Sequence, residues 1–199
     1  DRLILGVKGT MSEMELHVIR ARLDGGIRNK AARGELERGL PVGMVWGERD
    51  GEVRLDPDES VTGAIRTVFE RFGEFGSARR VWLWFRSEGL SFPLRQWPTH
   101  PIKWVAPSYH AIQQVLTNPV YAGTFVYGRR KTQTIPGDPP QLRTKRLPQE
   151  EWAIVIPGIY PAYIAYEQYL TNQQILRNNL YNFDKKGQGA VREGHGLLQ

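Results

Sequence analysis

The sequence contains no cysteine among its 199 residues. This absence excludes disulfide bonds and thiolate zinc sites within these residues, and it fits an intracellular protein. Long apolar runs are missing as well, because no window approaches the roughly eighteen apolar residues of a transmembrane helix. The first residues also lack the basic flank and cleavage site of a signal peptide. Since the chain starts at Asp1 without an initiator methionine, we expect it to be a fragment of a longer protein.

Recognisable catalytic and metal-binding motifs are missing too. There is no GxSxG motif, no Walker A motif and no dinucleotide-binding fingerprint. The histidines are scattered, and none forms the closely spaced ligand pair of a helical zinc site: His17, His100, His110 and His195. Serines at the starts of predicted helices are better explained as caps than as nucleophiles. By itself the sequence predicts a binding chain without metal or cofactor, not a complete enzyme.

What the sequence does have is clustered positive charge. The formal net charge is +6 and the isoelectric point is near 9.7, which favours a polyanionic partner. Residues 48–60 are acidic, whereas residues 20–38, the first basic segment, contain Arg20, Arg22, Arg28, Lys30, Arg33 and Arg38. Residues 129–146, the second basic segment, contain a single aspartate and six basic residues: Arg129, Arg130, Lys131, Arg143, Lys145 and Arg146. Two such clusters are what a track of phosphates requires, although a basic protein that binds nothing anionic is the alternative.

Residues 2–33 have the pattern of one long helix. Apolar residues recur at spacings of three and four, as in a heptad seam that meets another helix: Ile4, Val7, Met11, Met14, Val18 and Ala21. Gly25 and Gly26 each weaken the helix by roughly 1 kcal/mol relative to alanine, which favours a bend or fraying there. Gly34 is the predicted C-cap.

The next part alternates short strand and helix patterns. LPVGMVW and EVRL predict a β-hairpin. Asp56 is the predicted cap of a helix with Pro57 at its first position, and 3.6-residue spacing predicts a core face of Val61, Ala64, Ile65, Val68, Phe69 and Phe72. Ser77 and Gly89 bound a second helix, which is apolar nearly all round and is therefore expected to be largely buried. Four prolines predict a loop over 91–107.

A third helix, SYHAIQQVLTN, is capped by Ser108 and ended by Asn118–Pro119. Its predicted buried face is Ile112, Val115 and Leu116, and its outward residues are Tyr109, His110, Gln113, Gln114 and Thr117. Three short helices followed by a strand (AGTFVYG) and a basic loop are typical of a helix-turn-helix with a wing, whose last helix usually enters the major groove. The outward residues can then hydrogen-bond base edges. The alternative is the solvated face of an ordinary helix.

The C-terminal part begins with a basic, proline-rich stretch over 129–150, predicted to be a flexible linker or wing. EWAIVIPG predicts a strand, and a helix is expected from about Tyr166 with Tyr169, Leu170, Gln173, Ile175 and Leu176 on or near one stripe. Beyond Asn182 a polar, glycine-rich stretch favours a disordered loop, and the final GLLQ favours a strand that has just begun.

The predicted fold class is α+β and mostly helical. A long N-terminal helix over 1–36 precedes a winged-helix-like DNA-binding domain with short β-hairpins over 37–135. A basic linker follows over 136–150, and a partial second domain begins at 151 and continues to 199.

The order of these motifs resembles one protein family. GTMSEMELHVIRARLDGGIRNKAARGEL followed by LPVGMVW is similar to the junction of the catalytic and recombinase domains in large serine recombinases, the serine integrases and transposases of phages and mobile elements. LDPDESVTGAIRTVFERFGEFGSARRVWLWFRSEGLSFP resembles the family's helix pair, and VLTNPVYAGTFVYGRRK its NP-x-Y-x-G segment. EEWAIVIPGIYPAYIAYEQYLTNQQIL resembles the lead-in to its zinc-ribbon domain. The similarity covers nearly the whole chain.

This resemblance implies the sequence-specific, double-stranded-DNA-binding part of a site-specific recombinase, in the bacterial cytoplasm and encoded by the cell or a phage. The long helix would pair with a second subunit through Val7, Met11, Met14 and Val18, giving a dimer or tetramer of the intact protein. Arg22 would match a helix arginine that reaches the DNA backbone. The nucleophilic serine is expected upstream of Asp1 and the zinc-binding cysteines downstream of Gln199, so neither catalysis nor zinc is expected here.

The implied DNA contacts are the basic residues Arg22, Arg28, Lys30, Arg33, Arg129, Arg130, Lys131, Arg143, Lys145 and Arg146, together with Tyr109, His110, Gln113 and Gln114 of the third helix. A free-standing winged-helix transcription regulator is the alternative function. A basic RNA-binding protein is a third hypothesis, which predicts exposed aromatic residues for base stacking. Most tryptophans and phenylalanines lie at helix-core spacings, which disfavours it.

Overall fold

The computed structural model describes residues 2–49, 51–95, 101–137, 139 and 141–187. Within them the helices are α1 (Arg2–Ala32), α2 (Glu59–Phe75), α3 (Ala78–Ser87), α4 (Tyr109–Leu116) and α5 (Tyr166–Gly187). Four two-stranded antiparallel sheets pair β1 (Met44–Trp46) with β2 (Val53–Leu55), β3 (Phe92–Leu94) with β4 (Lys103–Val105), β5 (Phe125–Tyr127) with β8 (Ile154–Ile156), and β6 (Arg130–Ile135) with β7 (Gln141–Arg146). Short 3-10 turns cover Pro119–Tyr121 and Gln149–Glu151. The predicted mostly helical α+β class is confirmed.

Helix α1 is continuous through Gly25 and Gly26, so the predicted fraying there is wrong, and the bend stays a prediction. It ends where the sequence indicated. Gly34 adopts a positive φ of 74°, and the Gly34 and Glu35 N–H groups donate to the carbonyls of Ala31 and Lys30, each at 3.0 Å. This Schellman motif satisfies carbonyls that the last helical turn leaves free.

The core lies between α2, α3 and α4. The buried face of α2 contains Val61, Ile65, Val68, Phe69 and Phe72, as the 3.6-residue spacing predicted. The predicted cap is wrong by two residues, because Asp58 is the cap and its Oδ1 accepts from the Ser60 N–H at 2.9 Å. Asp56 instead accepts from the Asp58 N–H at 3.1 Å, which holds the turn before the helix.

Helix α3 is less buried than the sequence predicted. Val81 and Phe85 are inside, but Leu83 is 44% exposed and the two tryptophans are half-buried. Arg86 lies 5.2 Å from the Trp82 ring centroid and Arg71 lies 4.4 Å from that of Trp84. Cation–π contacts of this kind let an indole ring lie at the surface, which hydrophobic spacing does not reveal.

The proline-rich stretch is a hairpin, not the predicted loop, where it is described. Phe92 pairs with Val105, and Leu94 pairs with Lys103. Pro93 is tolerated because both strands of a two-stranded sheet are edge strands, where a missing N–H breaks no central ladder. Residues 96–100 lie outside the described part.

Most of the second basic segment forms a β-ribbon, defined here as β6 and β7. The predicted flexible linker is therefore wrong over 141–146, and the wing-like alternative fits better. Thr132 and Thr144 lie opposite each other with their Oγ1 atoms 3.0 Å apart, a cross-strand pair that favours this register. β5, which precedes the predicted linker, pairs with β8, which follows it. The predicted domain boundaries remain predictions.

Helix α5 packs against the helical core. Tyr169 and Asn172 are buried, and Gln173 Nε2 donates to the Leu116 carbonyl at 2.7 Å. The predicted stripe is wrong at Leu170, which is 41% exposed, because the buried position of that turn is taken by Tyr169. The helix also continues past Asn182 to Gly187, where a loop was predicted, and the GLLQ stretch lies outside the described residues. None of the described helices combines the length and apolarity needed to cross a bilayer.

Candidate nucleic-acid interface

A basic cleft of about 1440 Å³ lies between the end of α1, the polar side of α4 and the root of the β-ribbon. Its lining also includes the segment after α1, together with parts of β3 and β5. One acidic residue, Glu151, lines it. Its cationic lining residues come from four separate parts of the chain: Arg28, Arg38, Arg95, Arg129, Arg130, Lys131 and Arg146.

Strand pairing explains why so many of these cations meet. Arg130 lies directly opposite Arg146 in the ribbon, and Lys131 lies opposite Lys145. The Leu147 N–H donates to the Arg129 carbonyl at 2.9 Å and extends the pairing towards the core. Residues from the two ends of the second basic segment are therefore held side by side at the ribbon root.

Arg129 is the most enclosed of the ribbon-root cations. It is half-buried, its Nη1 donates to Asn118 Oδ1 at 3.1 Å, and its guanidinium lies 5.4 Å from the Trp152 ring centroid. Burial, followed by the nearby charge of Arg146, lowers its pKa from the ordinary value. An arginine nevertheless stays protonated at neutral pH. A bound anion would therefore be stabilised by a partly desolvated charge already fixed in direction.

Few carboxylates neutralise the cleft. Among the ion pairs of the described residues, Arg95 is the cleft cation involved, with its Nη2 3.6 Å from Asp56 Oδ2. By contrast, Arg33 lies outside the cleft and is paired with Glu35 at 2.8 Å. Arg38 lies 4.9 Å from the Tyr127 ring centroid, so an aromatic face rather than a carboxylate positions it.

Helix α4 presents part of its polar side to the cleft. Ser108 caps the helix by accepting from the Ala111 N–H at 3.1 Å, and the predicted buried face is confirmed. His110 and Gln114 line the cleft, and their side-chain nitrogens are 2.9 Å apart. Tyr109 instead packs edge-on against Trp82, with ring centroids 6.3 Å apart. Gln113 is half-buried and does not line the cleft.

The predicted DNA-binding residues thus separate into two groups. Those that the cleft brings together are Arg28, His110, Gln114, Arg129, Arg130, Lys131 and Arg146. Those outside its lining are Arg22, Lys30, Arg33, Tyr109, Gln113, Arg143 and Lys145. Sequence reasoning did not select Arg38 or Arg95 as contacts. Arg38 belongs to the first basic segment and could have been selected on that ground, whereas the isolated Arg95 gave no signal.

The apolar stripe of α1 has no covering element over its described side chains. Met14 is 71% exposed and Val18 is 44% exposed. Val7 and Met11 lie on α1, but their side chains fall outside the described part. A subunit contact through this stripe therefore remains a prediction. Within the described ranges, histidine, aspartate and glutamate side chains form no group of three or more that could hold a metal ion.

The described tryptophans correct one argument made against RNA binding. Trp46 and Trp104 are 39% and 44% exposed, so they are not core residues. Trp46 is the last residue of β1, and Trp104 lies on β4, whose three residues are all exposed. Neither lines the basic cleft, which separates them from the clustered cations.

Comparison with known proteins gives a family match. The model of the Recombinase family matches residues 59–179. The chain is 41% identical over 204 residues to "Uncharacterized protein y4bA/y4pH" of Sinorhizobium fredii (strain NBRC 101917 / NGR234). That alignment covers 100% of this chain and 29% of the relative, so the chain spans less than a third of the relative's length.

Two solved structures have similar architecture. One, described as "Sequence Requirements of the Listeria innocua prophage attP site", has a TM-score of 0.52 and 17% identity, and the match covers 85% of this chain and 57% of that chain. The other, described as "Crystal Structure of a LSR-DNA Complex", has a TM-score of 0.49 and 18% identity, with coverages of 79% and 38%. The first similarity shows a shared fold.

Proposed function

The chain belongs to the Recombinase family, and we propose that its basic cleft binds double-stranded DNA for a site-specific serine recombinase. The family match confirms the resemblance to large serine recombinases identified from the sequence. The observation that carries the proposal is the convergence of seven cationic residues with one side of a short polar helix in a single cleft. Phosphates require the first feature, and base edges can be read by the second.

We assign two roles to the residues of the cleft: some bind phosphates and position the protein on the duplex, and others contact the bases. Arg129, Arg130, Lys131 and Arg146 hold phosphates, which fixes the protein on the duplex without reading its sequence. Helix α4 then faces the major groove, where Gln114 can make a bidentate contact with adenine and His110 can hydrogen-bond a neighbouring base edge. Arg28 adds a phosphate contact from the last turns of α1.

DNA is the polyanion that we assign because of the family and the fold. The structure that shares the fold is described by its prophage attP site. The family match favours a recombinase over a free-standing winged-helix regulator. RNA is the second candidate because Trp46 and Trp104 are exposed, but both stacking surfaces lie outside the cleft.

In the intact protein, this segment holds DNA while a separate catalytic domain cuts and rejoins it. The nucleophilic serine and the zinc-binding cysteines belong to those other parts, so this segment uses no cofactor. We assign Met14 and Val18, with Val7 and Met11, to a subunit contact on α1. Because a recombinase acts on DNA, we assign the protein to the bacterial cytoplasm.

Salt dependence of binding tests the proposal. Six cleft cations lie outside the observed ion pairs, and neutralising six phosphates gives a slope of log K against log salt of roughly −5. The measurement is fluorescence anisotropy with a labelled duplex recovered by binding selection from a random library. A single-stranded RNA titrated in parallel tests the second candidate. A slope near zero, or tighter binding of the RNA, would overturn the proposal.

A further inference from the structure

The β-ribbon has the features of a segment that is stabilised by a bound anionic partner. Every residue of β6 and β7 is exposed. At the root, Arg130 lies opposite Arg146 and Lys131 lies opposite Lys145. Like charges placed directly opposite destabilise a sheet, and an isolated two-stranded hairpin is only marginally stable in water. Anions on the ribbon would remove the repulsion.

The cations of the root point to both sides of the ribbon. Cross-strand partners lie on one face, and successive residues alternate between faces. The pair of Arg130 and Arg146 therefore lies on one face, and the pair of Lys131 and Lys145 lies on the other. A ribbon lying flat along one DNA strand needs cations on one face only. Cations on both faces fit a ribbon that passes between two walls of phosphates, as in a groove.

The outer end of the ribbon carries a different chemistry. Its last two pairs are uncharged, with Thr134 opposite Leu142 and Ile135 opposite Gln141. Leu142 is 75% exposed and Ile135 is 39% exposed. Two residue pairs extend ~7 Å, close to the depth of a DNA groove. Residues 136–140 connect the two strands beyond these pairs. If the charged root lies at the level of the phosphates, the apolar side chains of the last pairs lie further into the groove, towards the bases.

The position of the ribbon beside α4 selects the groove. Arg130, Lys131 and Arg146 line the same cleft as Gln114. If α4 lies in the major groove, as in the proposed function on which this step rests, the groove across the adjoining phosphate strand is the minor groove. The minor groove of B-DNA is about 6 Å wide, so a ribbon of two strands enters it only if the groove widens, as it does when a protein deforms the duplex. Apolar residues that enter it unstack a base step and bend the duplex.

We propose that the β-ribbon enters the minor groove beside α4, where Leu142 and Ile135 wedge against the bases and bend the DNA. The ribbon is thus a DNA-deforming arm, distinct from the phosphate-holding cleft at its root. Its sequence preference would follow from how easily a base step deforms rather than from hydrogen bonds to that step.

Energy transfer between dyes at the two ends of a selected duplex tests the bend. We expect the native chain to bend the duplex by an angle on the order of 20–90°. Replacing both Ile135→Gln and Leu142→Gln should abolish most of this bend, while binding weakens by no more than roughly tenfold because the root cations remain. Leu83→Gln is the matched control, since Leu83 is a 44% exposed leucine on α3 and should leave the bend unchanged. Thermal unfolding of each variant checks that the fold is retained.

Base analogues then identify the groove. Inosine in place of guanine removes an amino group from the minor groove and leaves the major-groove acceptors intact, whereas 7-deazaguanine removes a major-groove acceptor. Beside the α4 contacts, inosine should change affinity by at least about threefold and 7-deazaguanine should not. Binding without a bend, a bend that survives in the double variant, or the opposite analogue pattern overturns the proposed arm. Absence of duplex binding by the native chain would instead reject the proposed function.

Discussion

The two basic segments are similar in composition but differ in three dimensions. The first, over 20–38, contributes two cations to the cleft, Arg28 and Arg38. The second, over 129–146, contributes four, Arg129, Arg130, Lys131 and Arg146. The difference arises from secondary structure, because successive residues on a helix are rotated by about 100° and their charges face different directions. Pairing of two strands instead brings residues from opposite ends of a segment to one place.

The partners of the arginines also differ between the two segments. In the first segment, Arg33 is paired with Glu35, and both side chains are more than half exposed. Such exposed pairs contribute little stability and are readily exchanged for solvent. In the second segment, Arg129 is held by Asn118 and Trp152 and has three arginines among the charges that influence it. Charge density alone therefore does not distinguish the two segments, whereas the enclosure of Arg129 does.

Removing the ribbon-root cations should have the largest effect. The triple variant Arg130→Ala, Lys131→Ala and Arg146→Ala should weaken duplex binding by roughly hundredfold or more, because three phosphate contacts are lost. The salt slope should also decrease in magnitude by about 3. Anisotropy titrations at several salt concentrations measure both. An unchanged slope would show that these residues do not neutralise phosphates.

A matched triple variant in the first segment should have a smaller effect. Arg22→Ala, Lys30→Ala and Arg33→Ala remove the same number of charges from positions outside the cleft. We expect binding to weaken by less than about tenfold, mainly through the loss of long-range attraction. Equal losses of affinity for the two triple variants would contradict the difference between the two segments and would show that the interface extends along α1.

Two neighbouring glutamines on α4 provide a sharper comparison. Gln114 lines the cleft and Gln113 does not. Gln114→Ala should change the selected base at one position, with a discrimination of about 1–3 kcal/mol lost, because a bidentate contact is removed. Gln113→Ala should leave the selected sequence unchanged. Binding selection with each variant is the measurement, and a larger shift for Gln113 would place the reading face on the other side of α4.

The end of α1 should be sensitive to a single methyl group. Gly34 has a φ of 74°, and an added Cβ would lie 2.8 Å from Ile159 Cδ1. Gly34→Ala should therefore lower the free energy of unfolding by about 1–2 kcal/mol, mostly from backbone strain. Urea unfolding measures this difference. No loss of stability would mean that the end of α1 can leave its positive-φ conformation without penalty.

The middle of α1 should respond in the opposite direction and most weakly. A Cβ added at Gly26 meets nothing within 4 Å. Gly26→Ala should therefore raise helix content and stabilise the chain by up to ~1 kcal/mol. Circular dichroism during thermal unfolding checks both. A destabilising effect would indicate that the glycine is needed for a close approach by a partner, which would revise the role of the first segment.

Much of the helical architecture could be predicted because local chemistry determines it. Ser108 caps the start of α4 with its side-chain oxygen, and Gly34 ends α1 with its positive φ. Both were identified from the sequence. The buried face of α2 followed from spacing alone. Errors occurred where two candidates lay close together, as with Asp56 and Asp58, since both are aspartates and the backbone decides between them.

The candidate site could be predicted only in part. Clustered charge and the polar face of α4 pointed to Arg129 and Gln114, which both line the cleft. Arg95 could not be selected, because it is isolated in the sequence and its partner Asp56 is distant along the chain. Arg38 belongs to a basic segment, but its contact with the Tyr127 ring was not predictable. The partial exposure of Trp82 and Trp84 was likewise not predicted, since Arg86 from the next turn of α3 and Arg71 from α2 lie over their rings.

The sequence by itself determined the helices, the caps at Ser108 and Gly34, the buried faces of α2 and α4 and the two basic segments, because these depend on neighbours within a few residues. It also carried the motif order by which the family was identified. Only the tertiary structure decided that the second segment folds back as a ribbon and that α4 shares a cleft with the ribbon root. It also decided that the first segment contributes fewer cations to that cleft than the second. Those outcomes depend on pairing between residues distant in the chain, for which local propensity contains no information.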